Sequence, residues 1–175
     1  MGAAKVLPYY TLADWERWEG DWEIIEGLPF SMSPAPLPKH QRISGNTFQQ
    51  LNQSLKKCKT CKVYQAIDWI LKEDTILQPD VLVVCGNIKH RLNFPPELII
   101  EILSPATALK DRNNKFFIYQ EQKVKYYLIV DPETNSVEVY VHNGEKYENI
   151  SHNNTYDFLF AENCDATIDF NTIWE

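Results

Sequence analysis

The sequence predicts an α/β fold, a central mixed β-sheet flanked by helices, and three observations carry that prediction. Apolar stretches recur as strands, alternating in VYQAIDWIL and nearly continuous in VLVVC, ELIIEIL and KYYLIV. Ile43, Thr47, Leu51 and Leu55 repeat at helical spacing within QRISGNTFQQLNQSLKK. Thr107 stands where it can cap a helix over about 108–122, between two of the strands. A helix in that position makes those two strands parallel neighbours joined by a right-handed crossover.

In chain order, Trp15, Trp18, Trp22, Ile24 and Ile25 suggest an aromatic helix or turn leading into a short strand. GLPFSMSPAPLPKH carries four prolines and reads as a loop, because the chain on either side is too short to fold alone. After the first long helix, strands are expected over 63–71, 76–85 and 97–103. Ser104-Pro105 stops the third. Lys125 to Val130 is a buried strand ending at Asp131-Pro132, and 137–141 pairs with 147–150 around Asn143-Gly144 as an added C-terminal β-hairpin. The tail beyond is mixed and receives no assignment. Residues 1–175 are expected to form one domain, since 44% hydrophobic content over 175 residues supports a substantial core.

Composition narrows the function classes. No window approaches the roughly 18 uninterrupted apolar residues of a membrane span, and the N-terminus lacks a secretory h-region, so the default location is cytoplasmic. A net charge of −7 argues against gripping nucleic acid by bulk electrostatics, although Lys56, Lys57, Lys59 and Lys62 cluster, as do Lys110, Arg112 and Lys115. Each cluster also fits a solvated face. Cys58 and Cys61 form a lone CxxC, while Cys85 and Cys164 stand apart. A structural zinc site wants four ligands, usually in two pairs, so the cysteines read as ordinary reduced thiols near a helix end.

The chemistry concentrates in two acids. Glu101 interrupts the apolar run of ELIIEIL, and Asp80 immediately precedes VLVV. Burying an isolated carboxylate costs several kcal/mol, or the group neutralises itself. Two carboxylates brought to one cleft are stable as anions with a cation between them, and Mg²⁺ or Mn²⁺ suits such hard oxygen donors. Equally open on spacing alone is that Asp80 caps a turn and Glu101 pairs with a lysine or faces solvent.

The combination PDVLVV, PPELIIEILSPAT, the D-x-x-x-K-x-x-x-Y segment from Asp111 to Tyr119 and KYYLIVDP resembles the Uma family of restriction-endonuclease-like proteins. That family belongs to the PD-(D/E)XK nuclease superfamily. WEIIEGLPFSMSPAPLPKHQ also resembles the family's E-x-x-x-G-x-x-x-x-M-x-P…H segment, and Glu26 and His40 stand in it as accessory candidates. The resemblance implies a restriction-endonuclease-like core in which Asp80, Glu101 and the carbonyl of Ile102 hold the metal. The superfamily lysine should stand two residues after the glutamate, where this chain has Leu103; Lys115 looks like its migrated substitute. Helix and strand rises place the Lys115 backbone almost level with Glu101, about 13–14 Å along one and about 10 Å back along the other. Pairing of Lys115 with Asp111, its i−4 neighbour, is the alternative. The expected function is a metal-dependent endonuclease acting on DNA, with a symmetric homodimer the simplest way to address both strands. The rival is an idle nuclease-fold module that binds nucleic acid or protein.

Overall fold

The computed structural model describes residues 7–175. A one-turn helix α1 (Leu12–Trp15) precedes the hairpin β1 (Trp22–Ile25) and β2 (Leu28–Ser31), and the proline-rich loop then leads into α2 (Pro38–Ser54). Pro38 sits in the first turn of α2, where its missing N–H costs nothing. A 3₁₀ turn (Leu55–Lys57) closes that helix. Strands β3 (Cys61–Gln65), β4 (Trp69–Lys72), β5 (Thr75–Leu77), β6 (Val81–Cys85) and β7 (Leu98–Ile102) follow.

Two expected strands are each divided. The 63–71 run breaks between β3 and β4, where Ala66 takes a φ of 47°, and the halves enter different sheets. The 76–85 run breaks between β5 and β6 at Pro79, which has no N–H for a ladder. The helix expected over 108–122 is helical throughout most of that span but not uniform. It comprises α3 (Ala108–Lys110), a π-helical turn (Asp111–Lys115) and α4 (Phe116–Glu121).

The main sheet has six strands. With β8 (Tyr126–Asp131), β9 (Ser136–His142) and β10 (Tyr147–Ile150), its order is β10-β9-β8-β7-β6-β3. Strands β7 and β8 pair in parallel across the helical connection, and the other pairs are antiparallel, which makes the sheet mixed as expected. The Asn143-Gly144 turn joins β9 to β10, with the Asn143 carboxamide oxygen accepting from the N–H groups of Glu145 and Lys146. A second sheet, β2-β1-β5-β4, lies beside it. The unassigned tail forms a further hairpin, β11 (Thr155–Ala161) and β12 (Cys164–Asp169).

Strand alternation sorts the core into two layers. Val81, Val83, Leu98, Ile100 and Leu128 pack with Ile43 and Leu51 of α2 and with Phe158, Ala166 and Ile168 of the last hairpin. Leu82, Val84, Ile99, Tyr127 and Ile129 point the other way, towards Trp69 and Tyr119. Each fully buried Leu, Ile or Val contributes about 1.5–3 kcal/mol relative to exposure. Glu101 shares the second face with Ile99 and Leu103, so the strand delivers it beneath the α3–α4 segment. No helix among the described residues is long and apolar enough to cross a membrane.

Candidate active site

Four chain segments converge at one end of the sheet. Glu101 comes from the middle of the main sheet, and Asp80 from the residue before β6. The Asp80 carboxylate reaches across to the neighbouring strand, where its Oδ2 accepts the backbone N–H of Ile102 at 2.8 Å. His40, in the first turn of α2, brings its Nε2 to 3.2 Å from the same oxygen. The π-turn directs both Asp111 and Lys115 inward, each only 2% exposed. One extra residue in a helical turn shifts which side chains face the sheet, and such turns recur at functional sites.

Lys115 is the hub. Its Nζ lies 2.9 Å from Glu101 Oε1, 2.8 Å from Glu23 Oε1 and 3.5 Å from Asp111 Oδ1. The alternative pairing with Asp111 is therefore present, as the longest of three contacts. Tyr119 donates its hydroxyl to Glu101 Oε1 at 2.7 Å. Glu23, on β1 and fully buried, also accepts the Gln78 N–H at 2.8 Å and pairs with Lys110.

Four buried or half-buried carboxyls thus face two lysines and one histidine. Burial pushes the Glu101 carboxyl up to about 8, reinforced by Asp111, Asp80 and Glu23 and opposed by Lys115. Burial likewise raises Asp111. Burial would raise Glu23 too, but Lys115 and Lys110 outweigh it and hold this carboxyl below the usual range. Burial disfavours charge on Lys115, yet Glu101 and Glu23 raise its pKa well above the ordinary lysine value. The lysine stays charged, and the surplus of acid falls on Glu101. Burial also opposes charge on His40, and the hydrogen bond and charge of Asp80 overcome it.

Asp80, Glu101, Ile102, Asp111, Lys115 and His40 all line a cleft of about 250 Å³, roofed by the proline-rich loop from Ser31 to Leu37. The donors fit a hard divalent ion. The hydrogen bonds to Glu101 fall on Oε1 and those to Asp80 on Oδ2, which leaves Oε2 and Oδ1 as further oxygens. Asp111 Oδ1 is buried without a hydrogen-bond partner, as is His40 Nδ1. Orphaned buried oxygen beside surplus acid is what a cation relieves.

One accessory candidate does not join the site. Glu26 is exposed at the β1–β2 turn with a φ of 50°, and its backbone N–H donates to Thr75 Oγ1. The glutamate that reaches the cluster is Glu23, the E of E-x-x-x-G counted back from Gly27. The motif held that signal; the residue next to the glycine diverted it. Lys110 was also missed as a site residue, because a surface-style lysine carries no distinguishing spacing, and Tyr119 closed the D-x-x-x-K-x-x-x-Y segment without being given a site role. Leu103 is 8% exposed and packs in the core layer that contains Tyr119.

Known proteins agree with this architecture. A solved structure titled as a putative nuclease belonging to DUF820, from Anabaena variabilis, superposes with a TM-score of 0.75, covering 94% of this chain and 97% of that one. At 18% identity it shows a shared fold, a restriction-endonuclease-like α/β core. An uncharacterized Synechocystis protein, sll1609, is 33% identical over 84 residues, a match spanning 45% of this chain and 48% of that protein. Residues 8–164, which hold every member of the cluster, match the Uma2 family, described as "Putative restriction endonuclease". The chain belongs to the Uma2 family.

Proposed function

We propose that this protein is a divalent-metal-dependent endonuclease that hydrolyses DNA phosphodiester bonds. The observation that carries the reading is the convergence of Asp80, Glu101 and Lys115 in one cleft, with the lysine ammonium 2.9 Å from the glutamate. Asp80, Glu101 and the Ile102 carbonyl would hold Mg²⁺ or Mn²⁺. Such an ion, when bound, acidifies water and neutralises charge on a phosphodiester. Lys115 is held charged by Glu23 and Glu101, so its ammonium is fixed before substrate arrives and costs no reorganisation as phosphate charge grows. Glu101 would offer such an ion its carboxylate, the Oε2 oxygen being free of the hydrogen bonds that fall on Oε1. His40, hydrogen-bonded to Asp80, orients that carboxylate and can pass a proton at Nε2. A symmetric dimer would set two such clefts on the two strands of a duplex, which light scattering with and without DNA tests directly.

The test is cleavage of supercoiled plasmid in EDTA, Mg²⁺ and Mn²⁺, with Asp80→Asn as control. Nicking or linearisation in metal alone, lost in the variant, is the expected result. Intact plasmid in every lane, with a folded protein, would sink the reading.

A further inference from the structure

At the opposite end of the sheet the fold gathers every cysteine in the chain. Cys58 and Cys61 flank a bend between the 3₁₀ turn and β3, Cys85 ends β6 directly opposite Cys61, and Cys164 opens β12. They are joined here as two disulfides, Cys58–Cys164 and Cys61–Cys85. The expectation of four independent thiols is thus corrected, and so is its premise. No second CxxC exists in the sequence, but the fold supplies the missing pair from β6 and β12.

We propose that, in the reduced chain, these four cysteines form a tetrahedral Cys₄ site for a structural zinc ion. The sulfurs of Cys58, Cys61 and Cys164 already lie within 4.8 Å of one another, and Cys85 is bonded to Cys61. Four Zn–S bonds of about 2.3 Å set sulfurs about 3.8 Å apart, within the range that three of the four already span. The surroundings suit thiolates. The Cys61 N–H points at Cys58 Sγ, 3.1 Å away, and the Thr60 hydroxyl lies 3.4 Å from Cys164 Sγ and 3.7 Å from each of the Cys58 and Cys61 sulfurs. Donors aimed at sulfur offset thiolate charge. A zinc tetrathiolate carries a net charge of −2, and Lys56, Lys57, Lys59 and Lys62, all exposed, surround the CxxC. These lysines gain a role that a solvated face leaves unexplained.

The chemistry balances simply. A thiol reductant supplies two electrons and two protons to each disulfide, giving four thiols, and Zn²⁺ then displaces their four protons without any redox change. The ion would tie the last hairpin and β6 to the C-terminal end of α2, a structural duty separate from the acidic cleft. Soft sulfur selects zinc there, while oxygen selects Mg²⁺ or Mn²⁺ at the other end.

The experiment takes the full-length protein, purified under reductant from zinc-supplemented cells, and measures metal content and thiol reactivity. The expected result is about one zinc per chain, few reactive thiols until a chelator is added, and on Co²⁺ exchange the absorption of a tetrahedral cobalt thiolate. Cys85→Ser should lose that spectrum. If it fails to fold, chelation of the wild type provides the second readout, with zinc release and four titratable thiols appearing together. Zinc-free protein with four reactive thiols, or zinc-free protein whose disulfides form again as soon as reductant is withdrawn, overturns the proposal.

Discussion

Helix α2 and strand β6 each connect two clusters that could hardly differ more. At one end His40 meets Asp80 beside Glu101, Glu23, Asp111 and Lys115. Beyond the other end Cys58 and Cys85 meet Cys61 and Cys164. Across the length of the helix, about 25 Å, the donors change from hard oxygen to soft sulfur. The acidic end is left with a surplus of acid on Glu101 and a buried Asp111 oxygen without a hydrogen bond, a condition that favours an incoming cation. The sulfur end is saturated by its own members. Groups kept unsatisfied belong to chemistry, and groups closed on one another belong to holding the chain together.

That contrast predicts opposite phenotypes. Asp80→Asn and Glu101→Gln should each reduce cleavage by at least about 10²–10³-fold, the scale of losing one preorganised electrostatic group. Both should remain folded by circular dichroism and show none of the rise in melting temperature expected of the wild type in Mn²⁺. Wild-type turnover in either variant would dissolve the distinction between the two ends.

Lys115→Ala sharpens the comparison, because here chemistry and stability coincide. The sequence left a surface contact with Asp111 open as the alternative to a catalytic role, whereas the ammonium is 2% exposed among three carboxyl groups. Removing one member of a buried ionic cluster costs about 3–5 kcal/mol. Urea unfolding should show a loss of that size, along with a fall in cleavage of orders of magnitude. Millimolar Mn²⁺ should restore part of the stability and none of the rate. Recovery of both would mean that the lysine serves only as a counterion.

Cys164→Ser tests the other end. In the oxidised chain it severs a link between residues 106 positions apart, and disulfides typically contribute about 2–4 kcal/mol, the longest loops somewhat more. The melting temperature should drop while cleavage per folded molecule stays within about threefold. A collapse of turnover at a temperature where the protein remains folded would show that the hairpin reaches the cleft.

The same contrast explains what the sequence revealed. Glu101 was conspicuous because it interrupts an apolar strand with a charge, and Asp80 because it abuts one, but their pairing and the choice of Lys115, which lies in the polar run KDRNNK, came from the resemblance to the Uma family. Helix and strand rises were enough to bring Lys115 level with Glu101. The cysteine cluster was illegible, since Cys85 and Cys164 obey the strand pattern they sit in and meet Cys61 and Cys58 only after β6 and the last hairpin have docked. The divided strands were missed for a related reason. Ala66 turns the chain with no glycine or proline to announce it, whereas Gln78-Pro79-Asp80 did carry a breaker, and the apolar runs on either side of it were read as one strand.

The smallest effects come from two glutamates three positions apart. Glu26 is exposed and hydrogen-bonds through its backbone, so Glu26→Ala should leave cleavage and melting temperature nearly unchanged. Its left-handed φ of 50° makes Glu26→Gly the more informative change, expected to stabilise by at most about 1 kcal/mol. Glu23→Gln keeps the size of the side chain and its hydrogen bond to Gln78, but removes the charge that steadies Lys110 and Lys115. Cleavage should fall roughly tenfold, through a less firmly held ammonium and without loss of a ligand. Stability should respond to pH in a definite sense. The Glu23 carboxyl is held below its unfolded value, so its ion pairs stabilise the fold above that value and are lost as pH falls through the folded one. The glutamine variant should therefore be less stable than wild type at neutral pH and show a shallower decline in acid, the two curves converging. Parallel curves from pH 7 down to acid would mean that Glu23 is not ionised in the folded protein, and the lysine hub would have to be rebuilt around Glu101 and Asp111 alone.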